Sequence, residues 1–526
     1  MALLFIDEPD GVRRRRGALT AAFVRALVTP VSEHANLRSG SARPLSSARR
    51  TALAGMLALA PSALSLHNGL GATPPLGYCS WNDCASEVTE QRIKRVTRAL
   101  IDTGLAAKGF RHVNVDEGWL ASRDAAGAMV ADRVKFPSGM RALGDWVHAQ
   151  EVPGHGRVMK YGLYTSRGTC QCSTKLYQAP GSAGHVMRDA AWMAAAGADF
   201  VKEDSCCGSQ QHDVALREYA EMRDALNATG RPIFFSLCGW NSWYAERGAQ
   251  LGNSWRIALD GTNWGALSGS VNRNARLGRF AQPGAWNDPD LLQGTGIGSN
   301  DKATNPNGCF DKSQIPQSWN WYLSERQSRA QFSLWAVMSS PLLISADPSQ
   351  VTPHVLETWS NEEVVAVNQE LRPGGPYQGL RLTGGDLHWD PVLGRGSGIN
   401  VWGKPLPKGA WALVFVNNGP NVSDIVCDKR CYQSVADPTH RSYHVRDLWA
   451  RRNVGTFYTP QTLLAKAVEP HGGVAMLRLD QRHTSDPASR RAWASEAFKR
   501  LPCHVAHPTG EWGGLCRPRK SRRHKG

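Results

Sequence analysis

Phe200-Val201-Lys202-Glu203-Asp204-Ser205-Cys206-Cys207-Gly208 reads as a short buried strand running into a loop. Ala198, Phe200 and Val201 supply an apolar body, and Gly208 ends the run. Strand alternation sets Lys202 and Asp204 on one face and Glu203 on the other. A lysine two residues from an aspartate favours the ionised carboxylate. An ionised carboxylate held at the C-terminal end of a strand is a candidate nucleophile. The plainer reading is a structural ion pair, and the rest of the chain has to separate the two.

The same texture repeats on both sides. Strand-like runs at 76–82, 112–119, 161–165, 232–238, 254–260, 285–290 and 341–345 alternate with helical patterns at 89–105, 139–149, 185–196, 213–228, 328–339 and 361–368, with Thr89 as a helix cap. Counting the central strand, this gives repeated βα units over 72–370. They predict an α/β fold, a (β/α)8 TIM barrel, which typically takes about 250 residues. A doubly wound open sheet is the rival. No Gly-x-Gly-x-x-Gly follows the first strand, so no dinucleotide site and no cofactor are expected. Past Pro373 the period changes to short strands between Gly, Pro and Asn turns, as at 387–389, 399–402, 411–416 and 474–479. This predicts a C-terminal antiparallel β-sandwich over 375–480. The remainder, 481–526, is a polar basic tail in which Cys503 and Cys516 are able to close a loop.

The net charge of +16 is concentrated at the ends. Arg13 to Arg16, Arg25, Arg38, Arg43, Arg49 and Arg50 crowd the start; Arg517, Arg519, Lys520, Arg522, Arg523 and Lys525 crowd the finish. A balanced middle argues for targeting or solvated tails and against a nucleic-acid partner. Residues 1–48 have the Arg/Ser/Ala bias of a transit peptide, and Arg49-Arg50 precede an apolar run at 51–66 that has the order of a secretory signal. Region 1–70 is therefore expected to be a targeting segment, either bipartite or with a true start near Met56. The destination is the secretory pathway or vacuole, with a plastid as the alternative. No uninterrupted apolar run of membrane-spanning length follows, so no membrane partner is expected. Twelve cysteines, several closely spaced (Cys170 and Cys172, Cys206 and Cys207, Cys427 and Cys431), fit disulfides in an oxidising compartment, with zinc as the competitor. Two sequons, Asn227-Ala228-Thr229 and Asn421-Val422-Ser423, fit export. Self-association is left open.

Polar residues at barrel strand ends converge on the C-terminal face. Here they are Trp81, Asp116, Glu117, Tyr164, Lys202, Asp204, Arg256, Asp260 and Asp290. Five carboxylates, two cations and a tryptophan suit a neutral polyhydroxylated ligand; no His/carboxylate cluster at metal-ligand spacing accompanies them. Glycoside hydrolysis needs two carboxyl groups flanking the scissile bond. Asp204, beside Lys202, suits the ionised role. Asp260, after apolar Ile257-Ala258-Leu259, suits the proton donor, because an apolar setting raises a carboxyl pKa. Arg256, four residues earlier, is expected on the same strand and face, placed to bind sugar hydroxyls. A non-catalytic sugar-binding barrel and a metal-dependent barrel hydrolase are the other classes.

Thr73-Pro74-Pro75-Leu76-Gly77-Tyr78-Cys79-Ser80-Trp81-Asn82, Phe136-Pro137-Ser138-Gly139-Met140, Phe235-Ser236-Leu237-Cys238, Trp286-Asn287-Asp288-Pro289-Asp290 and Asn361-Glu362-Glu363-Val364-Val365-Ala366-Val367-Asn368-Gln369 together resemble the α-galactosidase (melibiase) family of retaining glycoside hydrolases, family 27. The likeness is strong over 72–370 and weaker beyond. It implies hydrolysis of terminal α-galactosyl groups of oligosaccharides or glycoconjugates by double displacement. Asp204 falls on the family's nucleophile and Asp260 on its acid/base. Trp81, Asp116, Glu117, Tyr164, Lys202, Arg256 and Asp290 fall on sugar-binding positions. Cys172 and Cys206 fall on a disulfide beside the site, leaving Cys170 and Cys207 for a second bridge.

Three positions depart from the family. Glu117 replaces a usual aspartate, and its extra methylene favours a pentopyranose such as β-L-arabinopyranose. Gly118 replaces a usual cysteine, which leaves Cys84 without that partner. Gly239 replaces a usual glutamate facing the sugar 2-hydroxyl. Small Gly239 and Ser242 either admit an N-acetyl group, as in α-N-acetylgalactosaminidases, or leave room that the loop 240–244 refills.

Overall fold

The computed structural model describes residues 68–173, 179–295, 323–390, 393–437, 439–440, 442–459 and 461–481. The expected targeting segment, apart from 68–70, and the basic tail, including Cys503 and Cys516, lie outside the described residues. Asn68 is tied to the barrel: its amide donates to Asn253 Oδ1 at 3.0 Å.

Eight parallel strands build the sheet: β1 (Leu76–Cys79), β2 (His112–Asn114), β3 (Lys160–Ser166), β4 (Phe200–Asp204), β5 (Phe234–Cys238), β6 (Ser254–Arg256), β7 (Trp286–Asp288) and β8 (Leu342–Ile344). Their order is β8-β1-β2-β3-β4-β5-β6-β7. The two outer strands are joined through Leu292, which bridges in parallel to Ile344. Leu292 N–H donates to Leu343 O and Ser345 N–H to Leu292 O, both at 2.8 Å. The sheet is thus a closed barrel, and the open-sheet rival falls.

The helices follow the local chemistry. In α1 (Glu90–Asp102), Ile93, Val96 and Leu100 form the buried stripe, and the Thr89 side chain accepts from Arg92 N–H at the cap. The helices α2 (Met140–His148), α3 (Val186–Ala195) and α4 (His212–Ala228) lie within a few residues of the sequence expectation. Among the elements not legible in the sequence are α5 (Ala245–Leu251), α6 (Trp264–Asn274), a helix Pro353–Trp359 and a hairpin of Leu120–Arg123 with Met129–Ala131 in the loop after β2. Helix α7 (Glu325–Val337) starts earlier than its apolar pattern indicates, because Ser324 and Gln327 form a reciprocal capping box. Helix α8 (Glu362–Gln369) is capped by the Asn361 side chain.

The C-terminal part is antiparallel. Strands β9 (Leu380–Gly384), β10 (Ile399–Pro405), β11 (Trp411–Asn417), β12 (Ser442–Asp447), β13 (Arg452–Tyr458) and β14 (Gly473–Gln481) lie in the order β9-β10-β11-β14-β12-β13. A second layer pairs Ser423–Cys427 with Leu463–Val468. The fully buried strand β11 serves both parts of the molecule. Leu413 and Phe415 pack with Ile425 and Leu463 in the sandwich core, whereas Ala412, Val414 and Val416 join the core of the barrel. Between them lies Lys404, fully buried, whose Nζ donates to Val367 O and Asn368 O at the C-terminal end of α8, at 2.5 and 3.3 Å. Burial pushes the Lys404 ammonium down to about 7, so its bonds to the last carbonyls of α8, more than a full charge, hold the sheet to the barrel.

Candidate active site

The exit of β4 sets the site. Register pairs Tyr164 with Lys202, Ser166 with Asp204, and Asp204 with Cys238. As alternation requires, Lys202 and Asp204 meet the site while Glu203 is buried on the opposite side. Lys202 Nζ lies 2.8 Å from Asp116 Oδ2 and 3.9 Å from Asp204 Oδ2. The expectation that Lys202 chiefly holds Asp204 is corrected: its nearer partner is Asp116. Burial pushes the Asp204 carboxyl up to about 6, with Lys202 opposing and the Asp260 charge reinforcing. Ser205 N–H donates to Asp204 Oδ1 at 2.8 Å, and Tyr164 OH donates to Oδ2 at 3.3 Å.

Next to this pair stands the end of β2. Asp116 Oδ2 also accepts from the Cys79 thiol at 3.0 Å, and its N–H donates to Ser80 Oγ at 2.9 Å. Glu117 is buried and accepts from Ser173 N–H at 2.7 Å. Burial, with Asp116 and Asp204 adding negative charge, pushes Glu117 up to about 8. Trp81 opens the helical turn Trp81–Cys84, and its half-buried ring packs near Cys79, Phe200, Leu291 and Leu343.

Across the mouth, Arg256 ends β6. Its Nη2 donates to Asp260 Oδ1 at 3.0 Å and to Asp290 Oδ2 at 2.7 Å. Asp260 is not on the strand, as the sequence reading has it, but four residues on, in the following loop. Its side chain is 43% exposed, and Leu259 is 66% exposed, so the apolar pocket expected around it is absent. Asp290 is buried, held by Gly261 N–H at 2.6 Å and Leu291 N–H at 2.7 Å. Burial pushes it up to about 7 despite Arg256. Its φ of 106° is a conformation that few residues other than glycine adopt.

All nine strand-end residues therefore meet at one mouth, linked by direct bonds, ring packing or mutual charge. Sequence reasoning missed four neighbours. The Cys79 thiol bonds Asp116, Asp288 lies buried beside Arg256, and Ser205 anchors Asp204. The fourth is Tyr244: a Cβ on Gly239 would lie 2.1 Å from Tyr244 Cε2. Of the two readings of Gly239, the loop 240–244 refills the space. The Tyr244 ring stacks on Trp243, which stacks on His212, at centroid distances of 3.7 and 3.8 Å. The sequence reading names the loop 240–244 but not which of its side chains fills the space, because that depends on packing against a glycine five residues away.

Disulfides join Cys172 to Cys206 and Cys170 to Cys207, tying the loop after β3 to the loop after β4, and Cys427 joins Cys431. Gly118 cannot be a cysteine here: its φ is 116°, and a Cβ would lie 2.4 Å from Ser86 O. Cys84, which has no cysteine at 118 to pair with, is nevertheless disulfide-bonded. Among the described residues, the group compact enough for a metal is Cys172, Asp204 and Cys206. Its two sulfurs form one disulfide, leaving a single carboxylate, which is not a ligand set for a divalent ion.

A family model described as alpha galactosidase A matches residues 73–308 and 302–370, and one for the alpha galactosidase C-terminal beta sandwich domain matches 396–479. An α-galactosidase of Oryza sativa is 32% identical over 410 residues, covering 77% of this chain and 85% of the relative. Alpha-galactosidase 2 of Arabidopsis thaliana is 33% identical over 419 residues, covering 78% and 90%. The solved α-galactosidase of Saccharomyces cerevisiae superposes with a TM-score of 0.65 at 24% identity, covering 79% of this chain and 99% of that one, a likeness of fold.

Proposed function

The chain belongs to the α-galactosidase (melibiase) family of glycosidases, and we propose that it is a retaining hydrolase of terminal α-D-galactosides in oligosaccharides or glycoconjugates. The carrying observation is that Asp204 and Asp260 share one mouth: Arg256 donates to Asp260 Oδ1 at 3.0 Å and reaches the Cys238 sulfur at 3.9 Å, and Cys238 is the register partner of Asp204 on the neighbouring strand. The Asp204 carboxylate attacks C1 while Asp260 gives its proton to the glycosidic oxygen. This breaks the C1–O bond and leaves a galactosyl ester on Asp204. Asp260, now a carboxylate, takes a proton from water as that water attacks C1 and releases Asp204. The buried end of the site suits this division. Asp204 Oδ1 is pinned by Ser205 N–H, while Oδ2, with the longer contact, is left for the anomeric carbon. Asp260, on the exposed side, meets the leaving group. Lys202 with Asp116, and Arg256 with Asp290, supply charged pairs whose remaining valences suit sugar hydroxyls.

The glycone is the finer question. The Tyr244 ring beside Gly239 supports galactose over N-acetylgalactosamine, because it fills space an acetamido group would need. A β-L-arabinopyranoside is the second reading, carried by Glu117, buried in the site where the family has a shorter aspartate. The disulfides Cys170–Cys207, Cys172–Cys206 and Cys427–Cys431, the bonded Cys84, and two exposed sequon asparagines, Asn227 and Asn421, support passage through an oxidising secretory compartment. The test is a panel of aryl α-galactoside, α-N-acetylgalactosaminide and β-L-arabinopyranoside. The proposal expects the highest kcat/KM on the first; preference for either of the others would replace the glycone, and no turnover of any would leave a sugar-binding barrel.

A further inference from the structure

Behind the nucleophile lies a buried cation that the reaction described above does not use. Arg167 leaves β3, and its side chain is 1% exposed. Its backbone N–H donates to Asp204 O at 2.9 Å, while its Nε donates to Ser205 Oγ at 3.2 Å. The residue thus holds the carbonyl of the Asp204–Ser205 peptide and, separately, the side chain of Ser205. That peptide carries the N–H that donates to Asp204 Oδ1 at 2.8 Å.

The grip is itself anchored. Arg167 Nη2 donates to Ser209 O at 2.8 Å, so the loop after β4 wraps the guanidinium. It wraps closely: a Cβ on Gly208 would lie 2.6 Å from Nη1. Nη1 is ion-paired with Glu218 of α4, and the guanidinium lies 5.3 Å from the centroid of the Tyr219 ring. Tyr219 OH completes the set at 2.9 Å from Ser205 Oγ. Burying a guanidinium costs several kcal/mol unless its donors are satisfied, and apolar packing would stabilise the same volume at least as well. A charge retained there, with its planar fork spread over one loop, fixes geometry that a flexible apolar side chain would not.

We propose that Arg167 is a positioning residue for the nucleophile: through Ser205 and the loop Ser205–Ser209 it holds the peptide N–H that orients the Asp204 carboxylate. The inference rests on Asp204 being the nucleophile of the hydrolysis proposed above. Its test compares wild type, Ser205→Ala, Arg167→Met and Arg167→Lys in the full-length enzyme on an aryl α-galactoside. The readouts are kcat, KM, the acid limb of kcat/KM and Tm. Ser205→Ala removes the link without unpairing Arg167 from Glu218, so it serves even if Arg167→Met fails to fold. The expected result is a kcat loss of about tenfold in Ser205→Ala, because small misplacements of a reacting group are costly. KM stays within about twofold, and the acid limb moves to higher pH as the carboxylate loses an aligned donor. Arg167→Lys recovers part of the loss seen in Arg167→Met. A kcat and acid limb equal to wild type in folded Ser205→Ala, or a loss confined to KM or Tm, would overturn the inference while leaving the hydrolase reading intact. An inert wild type would overturn that reading and this inference with it.

Discussion

The ammonium of Lys202 is bonded to Asp116, at 2.8 Å, and stands 3.9 Å from Asp204. Asp204 therefore meets a cation already engaged elsewhere, and burial outweighs it, lifting the carboxyl to about 6. A nucleophile must be ionised, so kcat/KM falls as pH drops through about 6, approaching tenfold per pH unit below it. The acid limb of the pH profile with an aryl α-galactoside checks this. A limb near 4, the ordinary carboxylate value, would mean that Lys202 holds Asp204 more firmly than its distance allows.

Asp204→Asn separates activity from stability. It removes the nucleophile, and kcat should fall by at least about a thousandfold, roughly 4 kcal/mol. It also removes a carboxylate whose folded pKa is raised. Such a group stabilises the fold fully below about pH 4, and that contribution is lost as pH rises through about 6, leaving a cost of about 3 kcal/mol at neutral pH. The variant is thus expected to melt a few degrees higher than wild type at pH 7.5 and at the same temperature near pH 4. A variant less stable at both pH values would contradict the desolvation account.

Glu117, one methylene longer than an aspartate, accepts from the Ser173 N–H at 2.7 Å. Glu117→Asp withdraws the carboxylate and opens the site on that side. The ratio of kcat/KM for α-galactoside over β-L-arabinopyranoside should rise about fivefold, roughly 1 kcal/mol of discrimination. An unchanged or lower ratio would remove Glu117 from the specificity of the site.

Gly239 and Tyr244 compete for one volume. Gly239→Ala drives a methyl into the tyrosine ring and should cost about 1–3 kcal/mol of stability, read as a lower Tm. Combining it with Tyr244→Leu should recover part of that loss, since residues in contact are not additive. Additive losses in the double variant would mean that the two side chains do not clash.

The barrel was legible because its strands are short apolar runs ending in polar residues, a pattern that needs no tertiary knowledge. Helix α7 was placed late because barrel and sandwich bury both its faces, which erases the apolar stripe and leaves the Ser324 cap as the truer start. The site residues were legible as strand ends, but their pairing was not. Whether Lys202 turns to Asp116 or Asp204, and whether Leu259 shields Asp260 or faces solvent, depends on loops whose course the local sequence does not specify. Tyr244 beside Gly239 and Arg167 behind Asp204 are contacts of the same kind.

The account depends most on Asp204 and Asp260 acting by double displacement at one anomeric carbon. Proton NMR of an aryl α-galactoside in the first minutes of hydrolysis, before mutarotation, reads this directly. The account predicts that α-galactopyranose appears first and the β anomer later; β-galactopyranose appearing first would contradict it.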